Sequence, residues 1–155
     1  MANISLKDID TRAPKELEKK KTKEKLPAIL KELDDLQNLL YAESKHSILV
    51  VIQGMDASGK DGLIRDVLGN MNPQGVTVRS FKAPTEEELS HDFLWRIHHH
   101  APQKGMIQVF NRSHYEDILI TRVRQWCDDS LAKKRMKAIN AFEELLQEQD
   151  RKSVV

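Results

Sequence analysis

The chain has 155 residues, a length typical of one domain, and its 39% hydrophobic and 32% charged residues are typical of a globular protein with a charged surface. The formal net charge of +1 argues against a general nucleic-acid-binding protein, so any affinity for polyanions must come from local clusters of Lys and Arg. Cys127 is the single cysteine, which fits a reducing cytoplasmic location, and neither a signal peptide nor an apolar run of about 18 residues that would span a membrane is evident.

The N-terminal 25 residues are predicted to form a polar arm followed by the charged start of a helix. Residues 1–14 are polar and include Pro14, and residues 15–25 are dense in Lys and Glu, which indicates a solvated helix face. Apolar residues then recur at spacings of three and four, which predicts a helix packed through one stripe, with Pro27 at its start or at a kink. The stripe comprises Leu26, Ile29, Leu30, Leu33, Leu36, Leu39 and Leu40.

Strand and helix patterns alternate through the rest of the chain. A capping-box pattern at Thr85–Glu88 begins a helix that is predicted to continue through Ile97. The alternation predicts a three-layer α/β/α sandwich with a parallel sheet, formed by a core of residues 26–146 and followed by a polar tail of residues 147–155. The predicted strands are Ser47–Ile52, Val76–Phe81 and Met106–Phe110, and the later helices are Tyr115–Trp126 and Leu131–Leu146.

A glycine-rich segment follows the first predicted strand. Gly54–Asp61, here called the glycine loop, reads G-x-x-x-x-G-K and precedes a helical pattern. Glycines at this spacing let successive backbone N–H groups point at one anion, and the helix N-terminus adds partial positive charge. The segment therefore predicts a phosphate-binding P-loop, with Lys60 supplying a full charge. The predicted phosphate-binding residues of the loop are Gly54, Ala57, Ser58, Gly59, Lys60 and Asp61.

Two carboxylates make this loop unusual. Asp61 stands where a P-loop commonly has the Ser or Thr that binds Mg²⁺, so the metal must be held differently. Asp56 lies inside the loop, where a carboxylate would repel phosphate unless a cation lies between them. Asp56 is therefore the predicted Mg²⁺ ligand. Asp61 is either a second ligand or an acid favoured by the helix dipole.

A second group of polar residues follows the third predicted strand. Ligands of parallel α/β sheets bind beyond the carboxyl ends of the strands, so Arg112 should lie at the same edge as Lys60. A guanidinium there can neutralise charge that develops on a transferred phosphoryl group. Asn111 occupies a position where P-loop enzymes often have Asp, and Glu116 and Asp117 could partly replace its charge.

Five segments together resemble type-2 polyphosphate kinases, in that family's order and spacing over about residues 26–126. They are Gly54–Gly62, Asn72–Gly75, Phe81–Thr85, His91–Arg96 and Asn111–Glu116. The resemblance implies a P-loop kinase fold and transfer of phosphate between inorganic polyphosphate and nucleoside mono- or diphosphates. It also implies Mg²⁺, a cationic channel for polyphosphate, a homo-oligomer (a tetramer or dimer), and neither a nucleic-acid nor a membrane partner.

The resemblance also implies roles for individual residues. Asp56, Lys60 and Arg112 would be catalytic, and Asn111 and Glu116 would bind the nucleotide, as in the subgroup that phosphorylates both mono- and diphosphates. Lys82 and Arg96 would line the polyphosphate path, with a surface ion pair as the alternative. His91 and Trp95 are interpreted as packing residues. The consecutive histidines His98–His100 point about 100° apart on a helix and should not converge on one metal ion.

Members of the resembled family continue beyond the position of Leu146 with another core strand and a helical lid. Residues 147–155 are polar and are predicted to contain neither, so the chain is interpreted as truncated, with an exposed sheet edge and weakened turnover. Two further functions stay open: a non-catalytic remnant that binds phosphate or assembles with full-length subunits, and an ordinary nucleoside monophosphate kinase that uses ATP.

Overall fold

The computed structural model describes residues 14 and 17–148, and the backbone of residues 151–154. Most of the predicted N-terminal arm therefore lies outside the described residues. The first helix, α1, is Lys19–Glu43, so it begins within the charged segment predicted as a helix start. Pro27 lies inside this helix, which excludes the first of its two predicted roles, a helix start. Its first residues, up to Lys25, are exposed, as expected for a solvated face.

The apolar residues of α1 lie on two faces rather than on one packed stripe. Leu33 and Leu40 pack against the core, whereas Ile29, Leu36 and Leu39 are 55%, 57% and 60% exposed. The expectation of one fully packed stripe was therefore only partly right.

Polar side chains of α1 hold the Asn72–Gly75 turn. Asp34 Oδ1 accepts from Asn72 N at 3.0 Å, and Asn38 Oδ1 accepts from Asn72 Nδ2 at 2.9 Å. Buried Gln37 packs so closely on Gly75 that a Cβ there would overlap its amide. The turn that precedes the second strand is thus fixed against the first helix.

Four parallel strands form the sheet, in the order β2-β3-β1-β4. They are β1 Ser47–Ile52, β2 Val76–Ser80, β3 Ile107–Asn111 and β4 Arg151–Val154. The fourth strand corrects the prediction that residues 147–155 are a polar tail without a strand. It pairs with β1 from Ser47↔Arg151 to Val50↔Val154, so the edge of β1 that was expected to be exposed is covered over these positions.

Helices cover both faces of the sheet, which confirms the three-layer α/β/α prediction. They include α2 Lys60–Asp66, followed by a 3₁₀ turn at Leu68–Asn70, α5 Glu116–Val123 and α6 Asp129–Glu148. Successive strand side chains point to opposite faces. Leu49, Val51 and Phe110 join one core cluster with α5 and α6, and Ile52 and Val109 join the other with α1 and α2.

The single helix predicted from Thr85 through Ile97 is divided into α3 Glu86–Leu89 and α4 Trp95–His98. The predicted capping box is present, since Thr85 Oγ1 accepts from Glu88 N at 3.2 Å and Glu88 Oε2 accepts from Thr85 N at 2.9 Å. Asp92 Oδ1 then accepts from Leu94 N at 2.9 Å. This local side-chain bond stabilises a turn between the two helices.

Three strands end at one level of the sheet. Ile52 pairs with Asn111, and Asn111 pairs with Ser80. The chain therefore leaves β1, β2 and β3 side by side at the carboxyl edge, where ligands of parallel sheets bind.

Among the described residues, no helix combines the length and apolarity needed to cross a lipid bilayer.

Candidate functional site

The glycine loop makes a tight turn between β1 and α2. Gly59 has φ +92°, a left-handed conformation that disfavours side chains, and Ala57 also has a positive φ of 61°. At Gly54 an added Cβ would lie 2.7 Å from Ser58 Oγ, so only glycine fits without a shift. The predicted helix start is present, because α2 begins at Lys60. The loop thus has the strand–loop–helix setting that an anion-binding turn requires.

The ammonium group of Lys60 folds back over the loop. Its Nζ donates to the carbonyl oxygens of Gly54 at 2.9 Å and Met55 at 2.7 Å, and to Ser58 Oγ at 3.4 Å. These bonds link the two ends of the loop through one side chain. The same Nζ can donate to a phosphate oxygen only by giving up some of these bonds, so its positive charge is available to a ligand by exchange.

Asp56 and Arg112 form an ion pair between the glycine loop and the segment after β3. The Asp56 side chain is 86% exposed, which places the pair at the surface of the sheet edge. Arg112 has a left-handed φ of 63°, and its N–H donates to Ile52 O at 3.0 Å. A positive φ in a side-chain-bearing residue is uncommon, and here it turns the chain at the point where the guanidinium faces the loop.

Asn111 and Asp61 form a second contact across the same edge. Asn111 Nδ2 donates to Asp61 Oδ1 at 2.7 Å. Asp61 also lies in the first turn of α2, where the helix dipole favours a carboxylate. Asp61 therefore has a side-chain partner in Asn111 in addition to its favourable position at the helix N-terminus.

Glu116 is joined to β1 by Gln53, a residue that the sequence analysis missed. Gln53 Nε2 donates to Glu116 Oε1 at 2.5 Å, and Gln53 Oε1 accepts from Ser113 Oγ at 3.4 Å. The only available sequence signal is that Gln53 directly follows β1 and so lies at the edge that carries Arg112. Position alone gives no indication of which side chain Gln53 contacts.

A buried cluster supports the segment between Arg112 and α5. Glu143 of α6 accepts from Tyr115 Oη at 2.7 Å and lies 3.3 Å from Nε2 of His114, which is fully buried. Burial lowers the pKa of His114, and the nearby Glu143 carboxylate opposes that shift. Burial, reinforced by Glu143, raises the pKa of the Tyr115 phenol. Neutral His114 and Tyr115 thus attach the segment to α6.

Arg96 does not lie where the sequence analysis placed it. Its side chain is only 7% exposed and lies 3.6 Å from both Glu88 Oε2 and Asp117 Oδ2, with its guanidinium 5.5 Å from the centre of the Phe81 ring. This burial argues against the predicted contact of Arg96 with polyphosphate. The alternative, an ion pair, is present, but it is buried rather than at the surface.

Lys82 remains exposed at the carboxyl edge, just beyond β2. Arg96 Nη1 donates to the Lys82 carbonyl oxygen at 3.0 Å, so Arg96 supports the backbone that carries Lys82. Burial raises the pKa of Asp117, and Arg96 and Arg135 oppose the shift. The carboxylate of Asp117 thus faces buried Arg96, with the charge of partly buried Arg135 nearby.

Two carboxylates at the edge are of the kind that binds Mg²⁺ in proteins. Within the described residues no group of three or more His, Cys, Asp or Glu side chains forms a metal cage. Mg²⁺ commonly takes only one or two carboxylates and completes its shell with phosphate oxygens and water. The exposed carboxylate of Asp56 and the oriented carboxylate of Asp61 provide such oxygen donors.

A cleft beside α5 and the run of three histidines lie away from this edge, and neither contains a predicted site residue. A cleft of about 640 Å³ lies between α5 and the start of α6, lined by Leu119, Val123, Cys127 and neighbouring residues. The three consecutive histidines diverge as expected: His98 packs on Phe142, His99 on Trp95 and His100 on Phe81. His91 stacks on Trp95 with ring centres 4.2 Å apart, which confirms the packing interpretation of both residues.

Comparison with known proteins connects this geometry with one family. The sequence is 50% identical over 123 residues to the AMP/ADP-polyphosphate phosphotransferase of Meiothermus ruber, covering 79% of this chain and 46% of that protein. It is 58% identical over 91 residues to the ADP-polyphosphate phosphotransferase of Rhodopseudomonas palustris, covering 59% of this chain and 32% of that protein. The chain thus spans half or less of the length of these curated relatives.

A solved structure agrees with the fold. The crystal structure of Polyphosphate Kinase 2 from Arthrobacter aurescens TC1 superposes with a TM-score of 0.94 at 42% sequence identity, over 99% of this chain and 56% of that chain. The sequence model of the family described as Polyphosphate kinase 2 matches residues 16–154, which is nearly the whole chain. The chain therefore belongs to the polyphosphate kinase 2 family.

Proposed function

We propose that the protein transfers phosphoryl groups between inorganic polyphosphate and nucleoside mono- or diphosphates. The observation that carries the proposal is the meeting of Lys60, Asp56 and Arg112 at the carboxyl edge of β1 and β3. Family membership and the activities for which the two relatives are named support it. Because the chain spans only part of those relatives, the activity of this chain is a proposal in its own right.

The glycine loop is proposed to act as a P-loop that binds the phosphate chain at the group to be transferred. The backbone N–H groups of the loop and the N-terminus of α2 would hold non-bridging oxygens. Lys60 would exchange its bonds with the Gly54 and Met55 carbonyl oxygens for a phosphate oxygen. Exposed Lys82, at the end of β2, would hold a more distant part of the polyphosphate.

Arg112 is proposed to stabilise the transferred phosphoryl group. In the direction of nucleotide synthesis, the bond between the terminal phosphorus and its bridging oxygen breaks, and the terminal phosphate oxygen of the acceptor nucleotide bonds to that phosphorus. The shortened polyphosphate leaves with the electron pair. Charge then spreads over the three equatorial oxygens, where a guanidinium that turns from Asp56 can form charge-assisted hydrogen bonds.

Asp56, with Asp61 as a second donor, is proposed to hold Mg²⁺. When bound, the metal supplies positive charge that screens the phosphates from these carboxylates. Asn111 fixes Asp61 through a 2.7 Å bond and so orients that donor. Asn111 and Glu116 are proposed to lie on the acceptor side, in keeping with the relative that is named for both AMP and ADP.

The decisive experiment is a coupled assay of ATP formation from ADP and polyphosphate, with and without Mg²⁺. ATP formation that requires both polyphosphate and Mg²⁺ would support the proposal, and formation of ADP from AMP would extend it to monophosphates. Polyphosphate binding without turnover would support the non-catalytic alternative instead. Phosphorylation of AMP with ATP as donor, but not with polyphosphate, would identify an ordinary nucleoside monophosphate kinase.

Assembly into a homo-oligomer in the cytoplasm is also part of the proposal. The exposed apolar residues Ile29, Leu36 and Leu39 of α1 provide a surface that a second copy could cover. The single cysteine suits a reducing compartment. Light scattering of the purified chain, and of an Ile29→Glu variant, measures whether this face contributes to assembly; an unchanged mass in the variant would exclude the face.

A further inference from the structure

Gln53 connects the two halves of the candidate site. It lies between β1 and the glycine loop, and its side chain reaches residues 113–116, which follow β3. Because β1 and β3 are neighbours that end at the same level, a side chain from residue 53 can span the gap between them. No motif considered above gives this residue a role.

The orientation of the Gln53 amide is fixed by its two partners. Ser113 is fully buried, and its Oγ accepts from Tyr115 N at 3.2 Å while donating its hydrogen to Gln53 Oε1 at 3.4 Å. The amide nitrogen therefore faces Glu116 Oε1 at 2.5 Å. The opposite orientation would put the amide oxygen against the carboxylate, which is repulsive.

This contact restricts a side chain that would otherwise move. Glu116 lies in the first turn of α5 beside the candidate site, and a glutamate at such a position samples several rotamers unless it is held. Gln53 engages Oε1 with a charge-assisted hydrogen bond. The carboxylate is thereby oriented before a ligand arrives, with Oε2 as the oxygen that can accept from it.

We propose that Gln53 is a positioning residue that orients Glu116 for the acceptor nucleotide. The inference rests on the proposed function, which assigns Glu116 to the acceptor side. A hydroxyl or amino group of the nucleotide is the matching chemistry, since an ionised carboxylate only accepts hydrogen bonds. Gln53 should therefore affect the binding of the acceptor and leave the binding of the polyphosphate donor unchanged.

The test measures the Kd of ADP and the Kd of polyphosphate separately, by calorimetry on the 155-residue chain in Mg²⁺. The variants are Gln53→Met, Glu116→Gln and the double variant, and Gln74→Met is a matched control in the exposed turn before β2. We expect Gln53→Met to weaken the binding of ADP about tenfold. This is the lower end of the effect of losing a hydrogen bond to a charged group, and it applies because Gln53 is exposed. Polyphosphate should bind within about twofold of wild type.

The double-variant cycle tests whether Gln53 affects ADP binding through Glu116. If Gln53 acts through Glu116, Gln53→Met should cause little further loss of ADP affinity in the Glu116→Gln background. An equal loss in both backgrounds, or an equal loss for ADP and polyphosphate, would overturn the inference while leaving the proposed function standing. A wild-type chain that binds polyphosphate and no ADP would overturn the acceptor side of the proposed function and the inference with it.

Discussion

Replacement of Lys60 by methionine tests the phosphate site most directly. Methionine keeps an unbranched side chain of similar length and removes the ammonium group. That group contacts the Gly54 and Met55 carbonyl oxygens at 2.9 and 2.7 Å. The substitution therefore removes both a loop contact and the positive charge that is proposed to bind phosphate.

The expected loss follows from two opposing contributions. A phosphate charge about 4 Å from the ammonium gains about 4 kcal/mol at the effective dielectric of a protein surface. Release of Nζ from its two carbonyl partners costs about 1–2 kcal/mol, at the usual net value of a hydrogen bond. The difference of about 2–3 kcal/mol corresponds to a Kd for polyphosphate about 30–150 times weaker.

The assay is a titration of labelled polyphosphate, followed by fluorescence anisotropy at several salt concentrations. Lys104→Met is the matched control, because Lys104 is exposed in the turn before β3, at the opposite edge of the sheet. Both variants lose one positive charge, so a purely non-specific polyanion effect would weaken binding equally. Log affinity should fall with log salt in the wild type, as counterions are released.

The fold of the Lys60→Met variant should be retained, with a stability loss of about 1 kcal/mol from the lost loop contacts. Circular dichroism and urea unfolding measure this separately from binding. A native Lys60→Met variant that binds polyphosphate within twofold of wild type would refute the assignment of the glycine loop as the phosphate site.

Three further predictions concern Asp56, Arg96 and His114. Asp56→Asn should tighten polyphosphate binding severalfold in EDTA, because it removes a repelling charge and releases Arg112, and should weaken the enhancement by Mg²⁺ in the same titration. Arg96→Met should destabilise the chain by about 3 kcal/mol in urea unfolding, because two carboxylates lose a buried partner. The free energy of unfolding should fall as the pH drops below about 6.5, because the pKa of His114 is lowered in the folded chain and the unfolded chain then binds the proton more readily. The slope should be at most about 1.4 kcal/mol per pH unit, and His114→Asn should reduce it.

Each of these predictions has an outcome that contradicts it. A wild-type Mg²⁺ response in Asp56→Asn would remove Asp56 from the metal site. A stable Arg96→Met variant with weakened polyphosphate binding would instead support the predicted contact of Arg96 with polyphosphate. If stability depends on pH in the same way in wild type and in His114→Asn, other groups cause the slope. One such group is His100, because burial lowers its pKa as well.

Local patterns in the sequence were sufficient for the elements that surround the glycine loop. The apolar run Ser47–Ile52 predicted β1 with the observed bounds, and Lys60 begins α2. A buried parallel strand is apolar on both faces, and the G-K spacing is short, so the information lies within a few residues. Their meeting with Arg112 followed from the rule that parallel strands carry ligands at their carboxyl ends.

Contacts between distant segments could not be predicted in the same way. Arg151–Val154 form a strand although Arg151, Lys152 and Ser153 are polar, because the unpaired edge of β1 provides the hydrogen-bonding partners. The burial of Arg96 depends on Glu88 and Asp117, which approach from separate helices. The pairing of Gln53 with Glu116 joins residues far apart in the chain, and nothing in either neighbourhood specifies it.

The charged side chains at the carboxyl edge are paired with neighbouring groups, and a ligand must exchange these contacts in order to bind. Lys60 is held by carbonyl oxygens, Arg112 by Asp56, and Asp61 by Asn111. A phosphate that arrives alone must separate Arg112 from Asp56 and then face the released carboxylate. The Mg²⁺ ion proposed at Asp56 would remove that repulsion and free Arg112 at the same time. Metal and phosphate should therefore each strengthen the binding of the other by the same factor, because coupling between two sites is reciprocal.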